Sequence, residues 1–200
     1  MTYWELATSW NYFLSIERDL HETSRYIEPE DQEKTYSFEF YKIIMLSCAE
    51  IETAFKQMCK FIDPKRKCGC IADYKDVILS KFPQICTCEV VVQRWHGRAI
   101  QPFGGWDTGP LSWWGSYQDI KHSRFLKIKQ ANYETAVYSL AALYVLILYL
   151  YRMNDQVCKA DDSKCFWSKY HPAAHYLPPI SELADFINQG EKKDEMNEYI

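Results

Sequence analysis

The clearest pattern of apolar and polar positions along the chain lies between Ser37 and Asp63. Apolar residues recur there every three or four positions, so that at 100° per residue they fall on one stripe of a helix. Ser37 is a residue type that caps helix starts, and Asp63-Pro64 ends the pattern. The sequence therefore predicts a helix from Ser37 to about Ile62. Its predicted core face consists of Tyr41, Ile44, Cys48, Ile51, Phe55, Met58, Cys59 and Ile62.

One carboxylate interrupts this apolar stripe. Glu52 falls between Cys48 and Phe55 on the predicted core face, whereas Glu50 falls on the opposite side of the helix. A carboxylate on a buried face needs a partner or takes a raised pKa. Lys56, four positions later, is one candidate partner, and a cation from another helix is a second. Glu52 is therefore a candidate site residue.

Weaker patterns predict a helix on either side of this segment. Residues 3 to about 26 carry apolar positions at three- and four-residue spacing, which indicates a first helix. Residues 63–88 are predicted to form a loop with a short helix around 74–82. From residue 85 the pattern changes to that of strands. Val90-Val91-Val92, a turn at His96-Gly97 and then Ala99-Ile100 predict a small β-hairpin near 85–101.

Two further helices are predicted in the second half of the chain. Ser112 is predicted to cap a helix that runs to about Arg124, and Asn132 to cap a long apolar helix that runs to about Met153. One continuous helix over residues 112–153 would span roughly 60 Å, which is long for a domain of this size. We therefore predict a break between Phe125 and Asn132.

Together these patterns predict a mainly α-helical bundle with a small β-hairpin insertion. Residues 1–153 are predicted to form the bundle domain, and residues 154–200 a C-terminal extension with a short helix near 181–188. Hydrophobic residues make up 48% of the chain and aromatic residues 16%, which argues against disorder. The net charge of -4 is unlike that of a protein that coats nucleic acid, although a local basic patch is compatible with it.

The run from Thr135 to Tyr151 contains no charged residue. Its length is at the lower edge for crossing a bilayer, and a bundle's central helix, apolar on all sides, explains the run as well. We favour burial, and we expect no membrane association. The chain begins without the basic and apolar segments of a secretory signal, which favours a cytoplasmic protein with mostly reduced thiols.

Cysteine and histidine spacing gives only weak indications of a metal site. Cys68 and Cys70, like Cys86 and Cys88, are separated by one residue, which is tighter than the usual zinc-site spacing. Free thiols or a redox role are the alternatives. His171 and His175 have the spacing of a ligand pair, but Pro172 disfavours a helix there. The chain contains no glycine-rich phosphate loop, so we expect no nucleotide cofactor and no other cofactor.

The candidate site with the most chemistry centres on His122. Asp119 lies one helical turn earlier and can orient an imidazole. Lys121 and Arg124 flank the histidine and can contact a phosphate. A histidine with nearby cations can cleave RNA without a metal, because the histidine handles the 2′-hydroxyl proton and the cations stabilise the phosphate. The alternative is a hydrogen-bonded histidine near a helix end with solvated cations.

A second basic segment, Arg94-Trp95-His96-Gly97-Arg98, lies at the predicted hairpin tip. An aromatic ring among cations can bind RNA by stacking and charge. A solvated turn is the simpler interpretation.

The stretch around His122 resembles uncharacterised bacterial helical proteins of the HEPN superfamily over roughly residues 10–152. The resemblance rests on Trp114, Tyr117, Lys121-His122, Arg124 and Ala131-Asn132 before a long apolar helix, and upstream on 16–20, 36–40 and 49–52. Such a resemblance implies a helical bundle, frequent homodimers and often metal-independent ribonuclease activity in toxin–antitoxin or anti-phage systems.

The HEPN catalytic motif has an arginine, a polar residue, about three further residues and then a histidine. On this chain the resemblance places the histidine at His122 and the polar residue at Gln118, whereas the arginine position holds Tyr117. Lys121 or Arg124 is then the substitute cation, and Glu52 can meet the cluster. Two functions are therefore expected: a dimeric ribonuclease that binds RNA, or a non-catalytic interaction protein of the same fold.

Overall fold

A computed structural model of the chain describes residues 3–160. The described residues form five α-helices, three short 3-10 helices and two strands. The α-helices are α1 Tyr3–Thr23, α2 Phe38–Ile62, α3 Ile71–Lys81, α4 Ser112–Lys127 and α5 Tyr133–Ala160. The 3-10 helices are Pro83–Thr87, Gln93–Trp95 and Ile128–Gln130, and the strands are β1 Val90–Val92 and β2 Arg98–Ile100. The predicted mainly α-helical bundle with a small β-hairpin is confirmed.

Helix α2 lies at the centre of the bundle, and its caps are the predicted ones. The Ser37 side chain accepts a hydrogen bond from the Phe40 backbone N–H, and Asp63 ends the helix through its own N–H to the Cys59 carbonyl. Most of the predicted core face is buried, with Tyr41 and Ile62 half-buried at the two ends. The three- and four-residue spacing of apolar positions therefore predicted the buried face of α2 correctly.

Helix α5 packs along α2 and also contacts α1 and α4. The residue before α5 is Asn132. Its side-chain oxygen caps the helix by accepting a hydrogen bond from the Thr135 N–H at 2.9 Å. Residues 133–154 are long and apolar enough to cross a membrane, but 78% of the apolar window lies buried within the bundle. The apolar run is thus a core helix of this fold, and it continues to Ala160, past the predicted end near Met153.

The break between α4 and α5 is confirmed: α4 ends at Lys127 and the 3-10 helix Ile128–Gln130 separates it from α5. The predicted cap at Ser112 is wrong by one residue. Leu111 occupies the capping position without a side-chain hydrogen bond, and Ser112 is the first helical residue. Aromatic rings surround the contact between α2 and α4. Rings within 6.5 Å of Phe55, measured between centroids, are Tyr74, Phe103, Trp106 and Trp114.

The β-hairpin is antiparallel, and Val90 pairs with Ile100. The connection between the strands consists of the 3-10 helix Gln93–Trp95 followed by His96 and Gly97, which have positive φ angles of 50° and 73°. The predicted short helix near residues 181–188 and the pair His171 and His175 lie outside the described residues, as does most of the predicted C-terminal extension.

Candidate functional site

Helix α4 has a buried first half and an exposed second half. Trp113, Trp114, Tyr117 and Ile120 are buried against the bundle, and the Trp113 indole N–H donates to the Pro102 carbonyl at 2.7 Å. Every residue from 121 to 127 is exposed. The first half therefore fixes the helix on the core, and the second half presents its side chains to solvent.

Glu52 is joined to α4 by two hydrogen bonds. The Tyr117 hydroxyl donates to Glu52 Oε1 at 3.0 Å, and Lys121 Nζ donates to the same oxygen at 3.3 Å. Lys121 Nζ also donates to the Tyr117 hydroxyl oxygen at 3.0 Å. Of the two partners predicted for the Glu52 carboxylate, Lys56 and a cation from another helix, the structure has the second, which is Lys121. Glu52, Tyr117 and Lys121, all predicted as site residues, form one cluster.

The pKa values in this cluster follow from the contacts. The hydrogen bond from Lys121 to Tyr117, with the nearby Glu52 carboxylate, raises the pKa of the Lys121 ammonium. Burial is the main cause that raises the pKa of Tyr117, and Lys121 opposes it. At neutral pH the Tyr117 phenol is therefore neutral and the Lys121 ammonium is charged. The ammonium is held at the place where α4 leaves the core.

A kink at Ser123 separates the two halves of α4. Ser123 has φ -138° and ψ 42°, which lies outside the helical region. The residues that follow project away from the bundle: Phe125 is 89% exposed and Leu126 is 86% exposed. The two adjacent exposed side chains form an apolar patch at the end of α4, and such a patch can bind a ligand or partner.

The kinked end of α4 and the start of α2 form a shallow groove with a volume of about 470 Å³. We call it the α4 groove. It contains the predicted residues His122, Lys121 and Arg124 together with a residue from α2. The lining residues are Tyr41, Lys121, His122, Ser123, Arg124, Phe125 and Leu126. This lining includes two cations, a histidine and two hydroxyl groups, and it contains no carboxylate.

His122 is exposed in this groove, and it makes no hydrogen bond or ion pair within the part of the chain that the structure describes. Arg124 likewise has no carboxylate partner among the side chains that the structure describes. Its guanidinium carbon lies 5.6 Å from the centroid of the Tyr41 ring and 5.2 Å from that of Phe125, both within cation–π distance. Both side chains are therefore free to contact a bound ligand.

Asp119 faces away from His122. Its carboxylate accepts a hydrogen bond from the Gln130 amide at 2.8 Å. It also forms an ion pair with Lys127 at 3.5 Å. The hydrogen bond from Gln130, with Lys127 nearby, lowers the pKa of Asp119. The expected orientation of His122 by Asp119 is therefore absent from the described contacts, because the turn after α4 brings Gln130 and Lys127 to this carboxylate.

The paired cysteines do not come together as one cluster. The Cys70 thiol donates to the Asp73 carboxylate at 3.3 Å at the start of α3. Cys88 lies 3.6 Å from the Tyr149 hydroxyl in another part of the bundle. Cys68 and Cys86 are half-buried, and burial raises the pKa of the Cys86 thiol. Within the described residues there is no group of three or more histidine, cysteine or acidic side chains that could hold a metal.

The hairpin tip does not present an aromatic ring to solvent. Trp95 is 1% exposed and packs edge-on against Tyr133. The Arg98 guanidinium covers the Trp95 ring at 4.3 Å. The hypothesis that Trp95 stacks on RNA is therefore wrong, because the ring belongs to the core.

Acidic side chains of the loop before α2 face the same tip. His96 Nε2 lies 3.0 Å from Glu28 and 3.9 Å from Glu30, and Arg98 lies 3.5 Å from Glu33. The tip is thus tied down by carboxylates of the same chain.

Sequence reasoning did not assign Tyr41, Ser123, Phe125 and Leu126 to the site. Tyr41 has the spacing of a core residue, and it is in fact half-buried at the groove wall. Phe125 and Leu126 fall outside the buried stripe of α4 at 100° per residue, which agrees with their exposure. The signal that could have found them is their position directly after the His122 stretch.

Comparison of the chain with protein-family models, with curated proteins and with solved structures finds no match.

Proposed function

We propose that this protein is a metal-independent endoribonuclease of the HEPN type, with His122 as its catalytic residue and Arg124 and Lys121 as its phosphate-binding cations. The observation that carries the proposal is the α4 groove. It places an exposed, unpartnered histidine among cations in a lining without a carboxylate. A negatively charged phosphodiester is the ligand that such a lining attracts.

The proposed reaction uses the 2′-hydroxyl of RNA as the nucleophile. His122 accepts the 2′-hydroxyl proton, the 2′ oxygen bonds to phosphorus, and the bond from phosphorus to the 5′ oxygen breaks. The 5′ oxygen takes up a proton and leaves as a hydroxyl. The products are a 2′,3′-cyclic phosphate end and a 5′-hydroxyl end. Cations at the phosphate stabilise the charge that develops on its oxygens.

The structure of the Glu52 cluster supports Lys121 as the cation that replaces the missing motif arginine. Tyr117 occupies that arginine position, but its hydroxyl is hydrogen-bonded to Lys121 and Glu52. The phenol thus holds the ammonium at the groove wall instead of supplying charge itself. In this proposal Glu52 and Tyr117 are positioning residues. Asp119 has a structural role, since its carboxylate binds Gln130 and Lys127 at the turn after α4.

The proposal includes a homodimer because the reaction needs two proton transfers at one phosphate. Each groove contains one histidine, so the His122 of a second copy is the natural donor for the leaving 5′ oxygen.

The test is cleavage of a mixed single-stranded RNA in excess EDTA. The His122→Ala variant is expected to cleave at least about 100-fold more slowly than the wild type, since general acid–base catalysis contributes that much or more. The matched control is His96→Ala, another exposed histidine, which is expected to retain wild-type cleavage. New ends should accept label from polynucleotide kinase without prior dephosphorylation, because they carry a 5′-hydroxyl.

Equal cleavage by the wild type and His122→Ala, or cleavage that needs an added divalent metal, would contradict the proposal. A second candidate function is a non-catalytic interaction protein of the same shape. The exposed Phe125 and Leu126 favour it, since they suit a protein partner as well. An absence of cleavage by the wild type, together with a stable dimer, would support that second function.

A further inference from the structure

The edge of the α4 groove combines a stacked arginine with an exposed aromatic ring. Arg124 lies between Tyr41 and Phe125, within 6 Å of both ring centroids. Phe125 is nevertheless 89% exposed, so the guanidinium covers only a small part of its ring. The groove therefore has a cation held in place by an aromatic neighbour and, beside it, a free aromatic face.

The position of these groups relative to His122 gives the edge a specific chemistry. His122 and Arg124 are separated by one residue at the kink, and Phe125 follows directly. A phosphate bound at His122 and Arg124 would therefore have its neighbouring base within reach of Phe125. Aromatic side chains next to backbone-binding cations are the usual arrangement for stacking the bases of single-stranded nucleic acid.

We infer that Phe125 is a base-stacking subsite, and that the α4 groove binds single-stranded RNA with one unpaired base on the Phe125 ring and the adjacent phosphate on Arg124. This inference rests on the proposed function for the position of the phosphate. A base inside a duplex has both faces covered by its neighbours, so it cannot stack on Phe125. The inference therefore limits the substrate to unpaired segments.

Charge complementarity favours RNA over an apolar protein partner as the occupant. The lining contains Lys121 and Arg124 and no carboxylate, although the chain as a whole has a net charge of -4. Lys121 is paired with Glu52, whereas Arg124 has no carboxylate partner among the described side chains. The guanidinium of Arg124 beside His122 therefore favours a polyanion over an apolar helix.

The test is binding of a fluorescent, fully 2′-O-methylated single-stranded RNA, which the proposed reaction cannot cleave. Affinity is measured by anisotropy for the wild type and for Phe125→Ala, Phe125→Leu and Phe125→Trp. Loss of one stacked base is expected to weaken binding about 10-fold in both the Ala and Leu variants, and Phe125→Trp is expected to bind at least as tightly as the wild type. Tyr26→Ala is the matched control, because Tyr26 is 87% exposed and does not line the groove.

Four outcomes would overturn the inference: unchanged binding by Phe125→Ala, wild-type binding by Phe125→Leu, equal affinity of the wild type for a duplex of the same sequence, and no binding by the wild type. Wild-type binding by Phe125→Leu alone would indicate an apolar contact rather than stacking. Thermal unfolding of each variant checks the fold, and Phe125→Trp keeps the test decisive if Phe125→Ala does not fold.

The two proposals fail in different ways. Cleavage that depends on His122 together with binding that ignores Phe125 would remove the stacking subsite and leave the ribonuclease. Binding that depends on Phe125 without any cleavage of unmodified RNA would remove the ribonuclease and leave an RNA-binding groove.

Discussion

The hairpin tip and the α4 groove contain the same kinds of side chain. Each brings an exposed histidine and an arginine that lies over an aromatic ring. At the hairpin tip, Arg98 covers the buried Trp95 and pairs with Glu33, while His96 lies beside the Glu28 carboxylate. At the tip, His96 and Arg98 are therefore already in contact with carboxylates of the same chain.

The groove differs in what surrounds the same groups. Arg124 lies over the exposed Phe125, and no carboxylate lines the groove. Glu52 forms an ion pair with Lys121, but Glu52 itself does not line the groove. Residue types alone therefore do not distinguish a structural basic cluster from a binding surface. The distinction lies in whether the chain's own carboxylates already contact the arginine and the histidine, as they do at the tip but not in the groove.

A carboxylate placed in the groove should make it resemble the hairpin tip. Leu126→Glu adds one at a position that is 86% exposed, so the fold should be unaffected. Single-stranded RNA is expected to bind about 10-fold more weakly, since the new charge repels the phosphates. Anisotropy with the 2′-O-methylated RNA measures the change.

The control for this substitution is Val91→Glu on the hairpin, where Val91 is 55% exposed. It adds the same charge to the chain outside the groove and is expected to leave the affinity near the wild-type value. An equal loss of RNA affinity in both variants would mean that only the net charge of the chain matters. It would contradict binding of RNA in the α4 groove.

The two arginines should also differ in their contribution to stability. Arg98→Ala removes a guanidinium from a buried ring and from Glu33, and it is expected to lower the free energy of unfolding by about 1 kcal/mol. Arg124→Ala removes contacts with a half-buried and an exposed ring, so a change below about 0.5 kcal/mol is expected. Urea unfolding followed by circular dichroism compares them. A larger loss for Arg124→Ala would show that Arg124 is mainly structural.

The sequence was sufficient for the elements whose patterns repeat. The spacing on α2, its Ser37 cap and the Asn132 cap of α5 are local features, and each is confirmed. The chain reversal at His96-Gly97 is local as well, because both residues adopt the left-handed conformation. These features depend on neighbours a few positions apart, which a single sequence displays directly.

The site depends on contacts between distant residues, so the sequence predicted it only in part. Glu52 was recognised as needing a cation, but only the packing of α4 on α2 identifies Lys121 as that cation. The kink at Ser123 could not be predicted from the sequence, because no proline or glycine lies next to it. Trp95 looked like a surface ring because its neighbours are basic, whereas its contact with Tyr133 buries it.

The central claim is that the α4 groove, and not the hairpin tip, contacts RNA. The most direct measurement is a histidine-selective NMR titration of the full chain with the 2′-O-methylated single strand. The chain has 5 histidines, and single His→Gln variants assign the ring signals of His122 and His96. The ring signals of His122 are expected to shift and saturate with added RNA while those of His96 stay in place. Shifts confined to His96, or no shift at His122 under saturating RNA, would contradict the account.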